Sequence, residues 1–231
     1  MVQLYLSIVF TTYIKMKYKK KCEKIVIVGT GGHGRDVLFT ISDCEQYQVV
    51  GFIDEDKKQH GKSINGLKVL GGLEWFENHN LRCVVAINEN KIRKKIVERL
   101  EKKGISFCNV IHPSVIYPKS VRMGKGCMIQ AGSIIASNAL IKNHVIINLS
   151  CTVGHDCIID DFVSLAPGVH ISGNNYVKQG VYFGTGAVTK QGLIINEWSI
   201  IGMGSVVTRN IPKNQVWAGI PAKLKKKIIV E

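Results

Sequence analysis

The sequence predicts an α/β unit followed by a long parallel β-helix, and three observations carry that prediction. The first is a six-residue period running from Ile111 to about Pro212. Hexads begin on Ile111, Tyr117, Met123, Ile129, Ile135, Ile141, Ile147, Val153, Ile159, Leu165, Ile171, Val177, Phe183, Thr189, Ile195, Ile201 and Val207, and only Thr189 is not apolar. Their fifth positions are mostly small or β-branched (Cys127, Ser133, Ala139, Val145, Cys151, Cys157), with Asn175 the misfit. A helix repeats near 3.6 and a simple strand at 2, so the period belongs to short strands turning corners and stacking coil on coil. The second observation is the run Lys24–Val28 followed by Gly29-Thr30-Gly31-Gly32-His33-Gly34, which reads as strand, glycine turn and helix. The third is brevity: this parallel unit spans about 90 residues, half of a full dinucleotide fold, before the hexads begin.

Each coil buries one bulky and one small residue per side and cannot fold alone, so the stack is stable only as a stack. At roughly 1.5–3 kcal/mol per fully buried aliphatic side chain, the first-position column alone drives folding. Cys127, Cys151 and Cys157 occupy the small inward position, as compact hydrophobes. The seven cysteines form no C-x-x-C pair, which fits a reducing cytoplasm.

The chain of 231 residues is long enough for two modest domains, and 45% hydrophobic against 21% charged residues excludes disorder. A net charge of +14 points to anionic partners, and no nucleic-acid motif accompanies it. Phosphate-bearing small ligands are the preferred reading.

In chain order, residues 1–15 are apolar and then turn basic. That stretch is shorter than the roughly 20 residues of a membrane span, and its charge order is opposite to a signal peptide's. Met16 is an alternative start, so residues 1–23 are read as an extension. Residues 24–110 form the α/β domain: Lys24–Val28 a buried parallel strand, Arg35 to about Asp43 a helix, Val49–Ile53 a second strand. Asp54 lies 20 residues after Gly34, where a dinucleotide fold holds a ribose. A loop around a short strand (Gly61–Gly72), a strand at Cys83–Ile87, an amphipathic helix at Lys91–Lys103 and a strand near Ile105–Val110 complete the domain. That helix presents Ile92, Ile96, Val97 and Leu100 at helical spacing. His112-Pro113 joins it to the second domain, residues 111–231, which ends in Val216–Lys223 and the basic run Lys225–Lys227.

With GTGGHGRDV, GHDC inside a hexapeptide β-helix, and AGIPAK together, the chain resembles the NeuD/PglD family of sugar acetyltransferases over residues 24–223. The resemblance implies a left-handed β-helix, a homotrimer with active sites between subunits, and acetyl-CoA as co-substrate. It implies acetylation of a nucleotide-linked amino sugar or a sialic acid, and places glycan biosynthesis in the cytoplasm.

Acetyl transfer to an amine needs a group that removes a proton near neutral pH, which suits histidine. His155 stands third in its hexad, pointing outward, and Asp156 beside it could orient the imidazole. The family's histidine–carboxylate pair maps onto His155 and Asp156, with aspartate here for a relative's glutamate. An oxyanion needs fixed donors, and Gly173, 18 residues after His155, lies one coil later. The resemblance places coenzyme A contacts at Gly173, Gly186, Gly204, Ile220, Pro221 and Lys223. It also places one at Ser164, where relatives often carry histidine. Gly31, Gly32, His33, Gly34, Asp54, Asn90 and Arg93 are expected to hold the nucleotide sugar, although the family usually has glycine at Asn88. His144 and His170 fall off the inward positions and are read as surface or subunit-contact residues. No metal is expected: His144, His155 and His170 are 11 and 15 residues apart, which is not zinc-ligand spacing.

Three alternatives stand beside the N-acetyltransferase reading. O-acetylation of a sialic acid or another sugar would use the same base. An NAD-dependent oxidoreductase is disfavoured by the half-sized domain, and a non-catalytic scaffold would leave His155 without a role.

Overall fold

In the computed structural model, which describes residues 22–229, the α/β unit and the β-helix pack against each other. The α/β unit has one five-stranded sheet, ordered β3-β4-β2-β1-β5. These are β1 (Glu23–Val28), β2 (Tyr47–Ile53), β3 (Ser63–Ile64), β4 (Leu67–Gly71) and β5 (Arg82–Val85), all parallel except β3. Helix α1 (Gly32–Ser42) and helix α2 (Asn90–Lys102) pack against alternate β1 residues, with Ile25 and Ile27 in one cluster and Val26 and Val28 in the other. A central strand covered on both faces accounts for the unbroken apolar run.

The hexads form sixteen two-residue strands, β6 to β21, from Val110–Ile111 to Val206–Val207. They stack into three parallel sheets, the faces of a triangular prism. Face I holds Leu140–Ile141, Ile158–Ile159 and their stacked neighbours. Face II holds Ile146–Ile147, Ser164–Leu165 and Tyr182–Phe183, and ends in β22 (Gln215–Ala218) and antiparallel β23 (Lys223–Lys227). Face III holds Ile134–Ile135, Thr152–Val153 and His170–Ile171. The prism is the left-handed β-helix that the resemblance implies.

Most corners are turned by a residue at positive φ. The III/I corner stacks Asn138, Asp156, Asn174 and Gly192; the I/II corner stacks Gly126, His144, Phe162, Gly180 and Trp198; the II/III corner stacks Gly132, Ser150, Gly168, Gly186 and Gly204. Asparagine, aspartate and glycine tolerate that region best. Trp198 takes it because its ring lies over Gly180, where an added Cβ would come within 2.3 Å of the indole.

Inside the prism the bulky column packs from Ile129 to Ile211 as one cluster. Its two polar misfits satisfy each other. Asn175 Nδ2 donates to Thr189 Oγ1 (3.2 Å) and to the carbonyls of Ser172 and Lys190, and Asn175 Oδ1 accepts from Leu193 N (3.0 Å). A fully bonded polar pair avoids the desolvation cost of an orphaned amide. The inward thiols of Cys127, Cys151 and Cys157 donate to Lys142, Ala166 and Ser172 carbonyls at 3.0, 3.2 and 3.1 Å. Burial pushes all three thiols up, those of Cys127 and Cys151 to about 12 and about 11.

Several expectations are corrected. Helix α1 starts at Gly32, so the glycine turn is its first turn. The strand expected near Ile105–Val110 is an isolated bridge from Phe107 to Cys83, and Val110–Ile111 is already the first rung of the prism. The buried stripe of α2 contains Arg93 with Ile96, Val97 and Leu100, whereas Ile92 faces outward. His144 is not on the surface: its ring is buried, stacked on Phe162 (5.2 Å between centroids) and edge-on to Phe107. The extension expected at 1–23 lies outside the described residues except for its last two.

Candidate active site

The III/I corner builds a histidine–carboxylate pair. Asp156 is the left-handed corner residue (φ 58°), and the turn that places it there projects His155 outward beside it. His155 Nδ1 lies 2.8 Å from Asp156 Oδ2. An ionised carboxylate only accepts, so the ring carries a proton on Nδ1, and in its neutral form it presents an unprotonated Nε2. The His155 side chain is 50% exposed, accessible to a substrate. Asn138, one coil earlier on the same corner, donates from Nδ2 to Asp156 Oδ1 (3.0 Å). These two hydrogen bonds, that of His155 first, hold the Asp156 carboxyl below its usual range. Asn138 was not anticipated, although its place 18 residues before Asp156 was a readable signal.

Gly173 sits directly above. Its amide N–H donates to no acceptor among the described residues, and an added Cβ would come within 2.5 Å of His155 Nε2. Gly154 is as tightly placed below: a Cβ there would meet Gly173 N at 2.4 Å. Gly173→Ala should therefore displace the imidazole without unfolding the prism, since the ring can swing toward solvent. Steady-state assays should show kcat lower by about 10–100-fold, the cost of a small misplacement of a catalytic group. The melting temperature should stay near wild type.

A second constellation lies in the α/β unit. Gly29 to His33, Asp54, Ile87, Asn88 and Ile92 surround a cavity of about 360 Å³. Gly31 caps α1 without a side-chain bond, and a Cβ at Gly31 or Gly32 would meet nothing closer than 3.9 Å, so the first-turn amides are open to an anion. Gly34 is glycine for another reason: a Cβ would lie 2.0 Å from Gly29 O. Asp54 accepts from Thr30 N (2.9 Å), Thr30 Oγ1 (2.5 Å) and Asp56 N (2.9 Å), bracing the glycine turn from the cavity's edge. His33 lines the cavity with an Nε2 that has no hydrogen-bond partner among the described residues.

Burial, with Arg93 adding to it, pushes the His33 pKa down to about 4; burial does the same to His144. Both values lie below the unfolded value near 6.5. The unfolded chain therefore binds more protons between these limits. The stability from keeping both rings neutral is complete above about pH 6.5 and is lost as pH falls toward 4. Urea unfolding should show a lower midpoint at pH 4.5 than at pH 7, with His144→Phe flattening part of that dependence (about 1.4 kcal/mol per unit of pKa shift).

Three expected ligand contacts are instead part of the joint between the domains. Arg93 is fully buried and uses all five N–H groups on oxygen acceptors. Nη1 donates to Ile87 O (2.7 Å) and Asn88 O (3.2 Å), Nε to His144 O (3.2 Å), and Nη2 to Phe162 O (2.9 Å) and Ser164 Oγ (3.0 Å). Ser164, 1% exposed, donates to Asn90 Oδ1 (2.6 Å), and Asn90 Nδ2 donates to the carbonyls of Gly180 and Val181. Arg93 and Ser164 are thus enclosed by protein on all sides in this chain, and Asn90 spends its amide on the prism. Burial lowers the Arg93 pKa to about 9.

The remaining expected contacts lie elsewhere. Gly186 and Gly204 are exposed on the II/III corner, with nothing within 4 Å of a Cβ at either. Ile220, Pro221 and Lys223 are exposed beyond β22. Within one chain, then, His155, Asp156 and Gly173 share the III/I corner, the exposed glycines follow the II/III corner, and the glycine-turn cavity belongs to the unit packed on face II.

Comparison with known proteins follows the same division. Residues 24–100 match the family model described as the PglD N-terminal domain. The GDP-perosamine N-acetyltransferase of Escherichia coli O157:H7 is 32% identical over 185 residues, 77% of this chain and 82% of that protein. The crystal structure of PerB from Caulobacter crescentus in complex with CoA and GDP-perosamine superposes with a TM-score of 0.81 at 31% identity, covering 88% of this chain and 97% of that one. The acetyltransferase domain of PglB from Neisseria gonorrhoeae, in complex with acetyl coenzyme A, gives 0.83 at 30% identity, covering 88% and 100%.

Proposed function

This chain belongs to the NeuD/PglD-like family of hexapeptide-repeat acetyltransferases, and we propose that it transfers the acetyl group of acetyl-CoA to the amino group of a nucleotide-linked sugar. The observation that carries the reading is the His155–Asp156 pair with Gly173 above it: an imidazole held through Nδ1 with Nε2 turned away from the carboxylate, beside an unused amide N–H.

The chemistry follows from these groups. An amine attacks only with its lone pair free, and His155 Nε2 accepts the proton it sheds as the C–N bond forms. Asp156 stabilises the imidazolium that results and keeps the ring from turning. Negative charge gathers on the former thioester oxygen, and the Gly173 N–H donates to it. As the C–S bond breaks, His155 returns its proton to the departing sulfur, leaving an N-acetyl sugar and free CoA.

Coenzyme A is multiply anionic and elongated. Open backbone at Gly186 and Gly204 and the Lys223 ammonium suit its approach along the II/III corner, with Ile220 and Pro221 beside its base. The glycine-turn cavity suits the sugar nucleotide: its diphosphate at the amides of Gly31, Gly32 and His33, and its ribose near Asp54.

Since one chain puts these three parts on different sides of the prism, neighbouring copies would have to complete each site. A ring of three does this with one repeated interface. The reaction is placed in the cytoplasm, where both substrates are soluble. Purified protein should release CoA thiol with a nucleotide-linked amino sugar from a panel of GDP-, UDP- and CMP-sugars. Turnover confined to sugars without an amine would replace the reading with O-acetylation.

A further inference from the structure

At the C-terminal end of the prism a basic surface extends beyond Lys223, the lysine assigned to coenzyme A, and neither substrate accounts for the rest of it. From Trp198 to Val230 the sequence has no aspartate or glutamate, yet it holds Arg209, Lys213, Lys223, Lys225, Lys226 and Lys227. Four of these lysines are in β23, the edge strand, every residue of which is exposed. Among the described residues, none of Lys225, Lys226 and Lys227 has a carboxylate within ion-pair distance. Large apolar side chains flank these lysines: Ile229, 86% exposed, two residues beyond Lys227, and Leu224, 45% exposed, within β23. Ile229 is the most exposed large hydrophobic residue among those described.

Lysines alone would be explained as protection of a sheet edge against pairing with another strand. That explanation fails for Leu224 and Ile229, because protection would not set exposed apolar groups within and beside the edge strand. A nucleic acid would want aromatic platforms for its bases, and the nearby Trp217 is half-buried with its indole N–H bonded to Gln215 Oε1 (2.8 Å). Aliphatic side chains interleaved with lysine ammonium groups fit an interface with the opposite pattern, acyl chains beneath a layer of negative headgroups. No helix among the described residues is long and apolar enough to cross a membrane, so such contact would be peripheral.

We propose that this end of the β-helix docks on a bilayer surface rich in anionic lipid, with Lys225, Lys226 and Lys227 on headgroup phosphates and Leu224 and Ile229 in the interfacial layer. The enzyme would then deliver its product at a membrane.

The test is co-sedimentation of the full chain with phosphatidylcholine vesicles, with and without about a quarter phosphatidylglycerol. Binding is expected only to the anionic vesicles, and it should weaken as salt rises from about 0.1 to 0.5 M. Replacing Lys225, Lys226 and Lys227 together by glutamine should lower the partition coefficient at least about tenfold. Acetyl transfer by that variant should be unchanged, which certifies its fold. Ile229→Ser should weaken vesicle binding without altering the salt dependence. Absence of binding to anionic vesicles overturns the proposal, as does undiminished binding by the triple variant. Displacement of the vesicles by RNA at equal charge concentration would assign the surface to nucleic acid and overturn it too.

Discussion

His155→Ala should lower kcat for acetyl transfer by about 10²–10⁴-fold, the usual worth of a positioned general base. Coenzyme A affinity and thermal stability should hardly change. The side chain is half-exposed and stands outside both domain cores, so its removal leaves no cavity and strands no buried partner. Only Asp156 loses a contact, and it keeps Asn138. Steady-state kinetics by thiol release, with calorimetric titration of coenzyme A, separates the two quantities. A His155→Ala enzyme within about threefold of wild-type kcat would move the base elsewhere. Asp156→Asn should fall between the two, since an amide can still meet Nδ1 but no longer stabilises the imidazolium.

Replacing Arg93 by methionine should be the most damaging substitution for stability, at about 3–5 kcal/mol. Five acceptors lose their donor at once: the carbonyls of Ile87, Asn88, His144 and Phe162, and Ser164 Oγ. Most are too enclosed for water to replace it. The guanidinium spans both domains, so the loss should appear as separation of their unfolding transitions. Ile87 and Asn88 also line the glycine-turn cavity, so KM for the sugar nucleotide should rise further than KM for acetyl-CoA. Urea unfolding followed by the tryptophan signal, and kinetics at permissive temperature, check both parts. A single transition with an unchanged midpoint would show that the joint is held by apolar contacts alone.

Most of the prism was legible because its rule is local: each hexad repeats the same burial, and the III/I corner falls on the outward residues near His155. Even the misfits Asn175 and Thr189 marked a real departure, though only the fold shows that they bond to each other across a coil. What could not be read was which corner the other domain covers. His144 and Ser164 point outward from the prism by the hexad rule, and helix α2 with its loop then buries them. Arg93 offered one signal: with Ile96, Val97 and Leu100 it completes an i, i+3, i+4, i+7 stripe, and arginine on such a stripe is buried and bonded when it meets backbone carbonyls. Family analogy drew attention to Arg93 and Asn90 as ligand contacts, whereas the geometry gives them a positioning task. The edge strand β23 was beyond reach because four lysines in five residues carry no periodic apolar signal.

A crystal structure with coenzyme A and a nucleotide-linked amino sugar bound together tests the central claim most directly. The account predicts the acceptor nitrogen within about 3.2 Å of His155 Nε2, where a proton can pass. It also predicts the sugar nucleotide held by the glycine turn of a neighbouring copy. An acceptor nitrogen out of reach of every His155 in the assembly, or a sugar nucleotide bound away from the glycine turn, would contradict it.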